Sequence, residues 1–484
     1  MNLLKKYFQD NKPLVFLVLI SGTLLYLYWL NAPKIWWDFY DSIDYIDYAR
    51  ALHASWGNLV NDYRAPLYPV LLHFVGFDQQ NNLSNNLVLV QSILFISIVV
   101  VVWEILKKIT LSTKTRVLVA LMIVLGLDIF WMVKTPLTEI LTMFFLVLTT
   151  LTFLNLQERF SYLKVVLFSL SFLGLVFTRP FNLYLFVPLL LFWIVRQVYS
   201  GKGKFSFQSA SRAFRERKVR WLGLFVTLAL ILIPVGTYAA INQSRYHYFG
   251  VSIEGGLNLF SRLALHPKYL PSSDSNPKLL EFAKICTHGS GDYFNCQYPY
   301  IPQPSHNPGF ATLTNPRDDS FNKQIDQFAM RVSLSHPYPY VLFAARDVAT
   351  SLTELFLKSG SDWPGTQASG ALGGLFVALA IYQVPLHWFF AVMVLGVAVP
   401  YFVYSYYKKS GRLDGRSLAT LLVLYIIIVY YVGLTGLVAS GDFGRMIIPA
   451  LPLIYIFSLV VAFDIFRMIK TGLTPQPKKV HVRR

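Results

Sequence analysis

Long apolar stretches separated by short polar breaks run through most of the chain, and this pattern decides which elements the sequence predicts. Runs near 14–30, 87–106, 117–133, 137–155, 162–178, 181–198, 221–241, 417–438 and 446–466 each approach the roughly 20 apolar residues a helix needs to cross a bilayer. The region 338–407 crosses once, or three times if 340–357, 369–384 and 387–407 all span. Arg346, Asp347 and Glu354 make 340–357 a better amphipathic helix at the interface than a span. The first stretch is long for a signal sequence and lacks a small-residue cleavage site, so it reads as an anchor. The expected fold is an all-α polytopic membrane protein of ten to twelve spans. Interfacial helices would lie in its first outer loop, and a second outer loop would be large enough for a subdomain.

Composition agrees: 55% of the 484 residues are hydrophobic and only 14% are charged, against about 25% in a soluble chain. This excludes a soluble enzyme, a coiled coil and a disordered protein. The net charge of +18 changes the picture through where it sits. Loop 199–220 holds seven bases against Glu216, and 467–484 holds six bases and no acid. The segments 1–12, 107–116, 156–164 and 408–416 are also net positive. Bases in short loops at alternate span ends set orientation, so these segments and both termini are expected in the cytoplasm. A nucleic-acid surface would need a folded basic domain, and none is present. The chain divides into a membrane module 1–241 that includes the loop 31–65, a large outer loop 242–336, a second membrane module 337–466 and a basic tail 467–484. Cys286 and Cys296, the sole cysteines, share the outer loop 242–336, which fits an oxidising compartment and one disulfide. Four scattered histidines in that loop, His266, His288, His306 and His336, have no metal-ligand spacing.

No Walker loop, dinucleotide fingerprint or nucleophile elbow is present, which argues against a nucleotide-driven cytosolic reaction. The densest acids instead lie on the outer face, in Trp36-Trp37-Asp38-Phe39-Tyr40-Asp41-Ser42-Ile43-Asp44-Tyr45-Ile46-Asp47-Tyr48-Ala49-Arg50. On a helix, steps of three residues rotate by about −60°, so Asp38, Asp41, Asp44 and Asp47 fan over half the cylinder and do not share one site. The neighbouring aromatic rings suit the headgroup layer. Carboxylates there are partly desolvated and crowd like charges, the setting in which a general base is tuned; a solvated acidic face or a cation site is the bland alternative. Further polar turns follow at Arg64-Ala65-Pro66-Leu67-Tyr68-Pro69, Lys134-Thr135-Pro136-Leu137-Thr138-Glu139, Thr178-Arg179-Pro180 and Gly441-Asp442-Phe443-Gly444-Arg445. Singly, such arginines are usually interfacial anchors. Together, Arg64, Lys134, Arg179 and Arg445 at the outer ends of different spans can converge on an anionic substrate at lipid depth.

Asp41-Ser42 with Tyr45 and Ala49, the Arg-x-Pro-Leu-Tyr-Pro helix, the Thr-Glu turn, the Arg-Pro turn and the arginine before a proline-bearing last span resemble, in this order, the glycosyltransferase C superfamily. The similarity is to its bacterial branch of protein O-mannosyltransferase-like and lipid A aminoarabinose transferase-like enzymes. It covers 14–200 well and 417–466 less fully, and leaves 242–407 unplaced. The resemblance implies an inverting transferase of the plasma membrane. It would move a sugar from a polyprenyl phosphate-linked donor to a hydroxyl on a lipid, glycan or protein acceptor at the outer face. Asp41 resembles the family's catalytic aspartate, with Asp44 as its rival, and Glu139 its second acid, which orients the acceptor or helps hold a divalent metal ion. Arg64, Arg179 and Arg445, with Lys134, would neutralise the departing phosphate. Ser42 stands where the family pattern has Glu, which counts against a metal role for this loop. Two other classes remain open: a polysaccharide ligase or polymerase whose base lies in the large loop, and a lipid or sugar transporter, which would need charges near mid-span and internal symmetry.

Overall fold

The computed structural model describes residues 11–31, 40–61, 63–76, 84–109, 111–199, 218–252, 259, 319–353, 385–408, 415–438 and 446–473. Among them the regular structure is helical. The helices are α1 (Lys12–Asn31), α2 (Tyr40–Ala54), α3 (Leu67–Phe74), α4 (Ser84–Leu106), α5 (Thr113–Val124), α6 (Leu127–Met132), α7 (Glu139–Glu158) and α8 (Tyr162–Thr178). After them come α9 (Phe186–Tyr199), α10 (Lys218–Tyr246), α11 (Asp319–Ser335), α12 (Pro337–Thr353), α13 (Pro385–Ser405), α14 (Gly415–Val438) and α15 (Leu451–Leu473).

Among the described residues seven helices are long and apolar enough to cross a bilayer: α1, α4, α7, α10, α13, α14 and α15, the last together with the short turn before it. Two shorter apolar stretches, Tyr162–Thr178 and Pro180–Arg196, coincide with expected spans. The tenth expected span, 117–133, is broken: α5 ends at Val124, Leu125 and Gly126 interrupt it, and α6 resumes at Leu127. Gly126 permits the break because a side chain there would press on the Ile123 carbonyl oxygen, 3.2 Å away. Among the described residues the expected spans are thus met by seven long and two shorter apolar helices, and 369–384 lies outside them. The amphipathic helix expected over 340–357 is α12, which packs along α14; Tyr340 donates to the Leu437 carbonyl, and a Cβ on Gly436 would lie 2.3 Å from Val348.

The centre of the bundle is α7, packed between α4 and α8. Gly174 lets α8 come close, since a Cβ there would sit 2.3 Å from the Phe145 ring of α7. The Thr142 and Thr150 hydroxyls on α7 are satisfied within the apolar interior by carbonyls one turn back, Thr138 at 2.7 Å and Leu146 at 2.8 Å. Turns are set by short polar caps: Ser112 accepts from the Thr115 amide and Ser161 from the Lys164 amide. A second buried polar centre ties α13 to the first half of the chain. Asp128 Oδ2 on α6 lies 3.2 Å from His387 Nε2, with both side chains 1% exposed, beside Tyr455 of α15, whose ring stacks on Phe390.

Two ends of the bundle are fixed by α7. Glu139 marks one, and Glu158, paired with Lys108 at 3.0 Å, marks the other. A 20-residue helix spans about 30 Å.

Candidate functional site

At the Glu139 end, α2 is amphipathic. Tyr45, Ile46, Tyr48, Ala49 and Leu52 are buried, while Asp47 and Arg50 face outward and pair with each other at 2.9 Å. The two acids of this segment whose side chains are described therefore part company, as the helical fan requires. Asp44 turns inward, Asp47 turns away, Asp38 lies outside the described residues, and Asp41 occupies the first turn of α2 with its side chain outside what the structure describes.

Asp44 meets Arg64, Oδ2 to a terminal guanidinium nitrogen at 2.6 Å, with Arg64 5% and Asp44 16% exposed. The guanidinium lies over two rings, 5.0 Å from Tyr45 and 4.9 Å from Tyr63. Its loop is held by a polar net. Asn61 Oδ1 accepts from the amides of Tyr63 and Arg64, and the Tyr238 hydroxyl of α10 both accepts from the Asn61 amide and donates to its carbonyl, each at 3.0 Å. Asn242 donates to the Asn61 carbonyl, Arg245 to that of Gly57 and Tyr246 to that of Val60. One end of α10 thus moors the segment that carries Arg64.

The second group of predicted residues lies between long helices. Arg179 extends from the end of α8 to Glu139 at the start of α7, at 2.5 Å, and its Nε donates to Thr138 Oγ1 at 2.8 Å. The remaining guanidinium nitrogen faces the Met446 sulfur at 3.5 Å, next to the start of α15. Glu139 is 1% and Arg179 9% exposed in their side chains. Asn182 fastens the Arg179 carbonyl at 3.0 Å and in turn accepts from the Tyr431 hydroxyl of α14 at 2.6 Å. Four elements distant in sequence, α7, α8, α14 and the start of α15, therefore fix one arginine.

Tyr68 on α3 joins the two groups. Its ring stands edge-on to Tyr45 at 5.3 Å, it is fully buried, and its hydroxyl finds no hydrogen-bond partner among the described residues. Burial pushes that hydroxyl's pKa well up, and the nearby Glu139 charge and Tyr45 push it the same way. Tyr68 thus stays protonated and remains a donor.

Lys134 has a different place. Its ammonium donates to the carbonyl oxygens of Tyr28 at 2.9 Å and Trp29 at 3.4 Å and sits 4.7 Å over the Tyr28 ring. It serves the last turn of α1, whose carbonyls lack partners within the helix. Burial lowers its pKa to about 8. Arg445, Cys286 and Cys296 lie outside the described residues.

The sequence names all four residues of the two carboxylate–arginine pairs and allows Arg64 to pair with the acids of its neighbouring segment, but it does not pair Arg179 with Glu139 and misses the residues that hold them. Tyr68 and Asn182 sit inside the quoted Arg-x-Pro-Leu-Tyr-Pro and just after the quoted Arg-Pro turn, so proximity in sequence was a usable signal. Tyr238, Asn242 and Tyr431 carry none, since a polar residue near a span end is ordinary. Among the described residues no three of His, Cys, Asp or Glu come together as a metal site, and Asp44 and Glu139 are engaged by arginines.

No protein-family model matches the chain, and no curated protein matches it. Among solved structures it is similar to an archaeal oligosaccharyltransferase, AglB from Archaeoglobus fulgidus, in complex with an inhibitory peptide and a dolichol-phosphate. The identity is 14% and the TM-score 0.47, over 98% of this chain and 53% of that one. The chain spans about half the length of the structure it matches.

Proposed function

We propose that this multi-pass membrane protein is an inverting glycosyltransferase that takes a sugar from a polyprenyl phosphate-linked donor and passes it to a hydroxyl on a lipid, glycan or protein acceptor. The Glu139 end of the bundle is the outer face of the plasma membrane, and both termini are cytoplasmic. The observation that carries this reading is the grouping of Asp44–Arg64 and Glu139–Arg179 around Tyr68 at one end of the helices. Such an end offers cationic groups and a protonated donor at headgroup depth, where a lipid phosphate lies.

In the reaction the acceptor oxygen attacks the anomeric carbon from the face opposite the phosphate. The new carbon–oxygen bond forms as the bond to the phosphate oxygen breaks, and polyprenyl phosphate leaves with the electron pair. A carboxylate takes the acceptor proton. Asp44 is already held by Arg64 at 2.6 Å, which suits it to positioning. Asp41, one turn earlier on α2, is then the base. Arg179 receives the leaving phosphate. Its weakest contact, to the Met446 sulfur, is the one a phosphate oxygen would replace at little cost. Glu139 holds that arginine in position, and Arg445, close in sequence to Met446, would add a second charge. Lys134 acts on α1 and contributes to the site through structure.

The test is transfer of labelled sugar from a synthetic polyprenyl-phosphate donor to extracted envelope acceptors by the purified protein, with Asp41→Asn alongside. The proposal expects transfer by the wild type and its loss in the variant. No transfer from any such donor by folded protein would overturn it.

A further inference from the structure

The hairpin of α2 and α3 is fastened at one end by Asp44 and Arg64, and at the other end two histidines meet. His53 stands in the last turn of α2 and His73 in the last turn of α3, with ring centroids 4.0 Å apart and planes tilted by 42°. His53 is exposed and His73 half-buried, and the His73 Nδ1 atom is buried without a hydrogen-bond partner among the described residues. Trp56, in the turn that follows α2, packs edge-on against His73 at 4.9 Å. Each ring sits at the carbonyl end of its own helix, where a cation is favoured, so each is drawn towards a proton. Two imidazolium rings this close repel, so the contact tolerates one charge and not two. The other charges that these elements and their neighbours bring are committed elsewhere. Asp47 and Arg50 of α2 pair with each other, Arg179 at the end of α8 is held by Glu139, and Arg245 of α10, two residues before His247, donates to the Gly57 carbonyl at 2.6 Å. Asp62 and Asp78 lie outside the described residues.

We infer that His53 and His73 form a pH-sensitive latch between the ends of α2 and α3, closed while at least one ring is neutral and released when both are protonated. Desolvation, and then the charge of His53, hold His73 below the ordinary histidine value of 6.5. The closed contact therefore binds its proton less readily than the released one. It is at full strength above about pH 6.5 and is lost as pH falls below that value. Release loosens the hairpin that carries Asp44 and Arg64, so transfer should fall as the outer medium is acidified. This last consequence rests on the proposed function; the latch itself does not.

Hydrogen exchange of the full-length protein, read by mass spectrometry at the imidazole C2 position for protonation and at the backbone amides for opening, tests this without any sugar donor. His73 should titrate below 6.5 in the wild type and move up in His53→Gln, a substitution at an exposed position that leaves the interior intact. At about pH 5, below the ordinary histidine range, the amides of α3 should lose protection in the wild type relative to His53→Gln, and at about pH 7.5 the two proteins should match. Asp62→Asn and Asp78→Asn should leave the titration of His73 tied to His53. An unmoved His73 in His53→Gln, equal amide exchange of the two proteins at the lower pH, or a coupling that vanishes in either aspartate variant would each overturn the inference.

Discussion

The two arginine–carboxylate pairs at the Glu139 end differ in how they are held. Asp44–Arg64 joins a short helix to a loop, and Asp44 keeps 16% of its side chain exposed. Glu139–Arg179 joins the ends of two membrane helices and is sealed, with Glu139 1% exposed. Water can take over an ion of the first pair when its partner is lost; it cannot easily do so in the second. The first pair is thus open to solvent on one side, and the second is closed off from it.

Substitutions that break one partner at a time should expose this difference. Glu139→Ala leaves a guanidinium buried without its carboxylate and should cost about 3–5 kcal/mol in reversible unfolding in mixed micelles, the largest effect expected. Arg64→Ala should cost about 1–3 kcal/mol by the same measurement, because Asp44 can hydrate. Equal costs for the two variants would break the distinction. A smaller effect is expected at Lys134. Its folded pKa of about 8 lies below the unfolded value of 10.5, so in that window the unfolded chain holds the extra proton. Stability should therefore rise with pH from about 8 to 10.5, and Lys134→Met should flatten that rise. Least of all, Tyr68→Phe removes a buried hydroxyl with no partner among the described residues and should leave stability unchanged or slightly higher. A clear loss of stability there would mean that the hydroxyl has a structural partner.

Much of the fold was readable because the apolar runs are long: α1, α4, α7, α10, α14 and α15 follow directly from them. The break at Leu125–Gly126 was hidden, since an interrupted apolar run has the same composition as a continuous one. Within the site, single residues were legible through their position at span ends, but beyond the chance of Arg64 meeting a nearby acid their partners were not. Arg64 and Asp44 lie 20 residues apart, and Arg179 and Glu139 lie 40 apart, so only packing of α7 on α8 and of α2 on α3 brings them together. Lys134 shows the opposite case. At the sequence level it is one more cation at a span end, yet its ammonium caps α1 through carbonyls more than 100 residues away, contacts that carry no residue-type signal.

In the proposed reaction one acid of α2 removes the acceptor proton, and the two candidates are Asp41 and Asp44. Single-turnover transfer rates of Asp41→Asn and Asp44→Asn, measured side by side with saturating donor, address it directly. Asp41→Asn should lose about 10²–10⁴-fold, the contribution of a general base, while Asp44→Asn should retain measurable turnover and mainly loosen Arg64. A large loss in Asp44→Asn together with near wild-type turnover in Asp41→Asn would contradict the account.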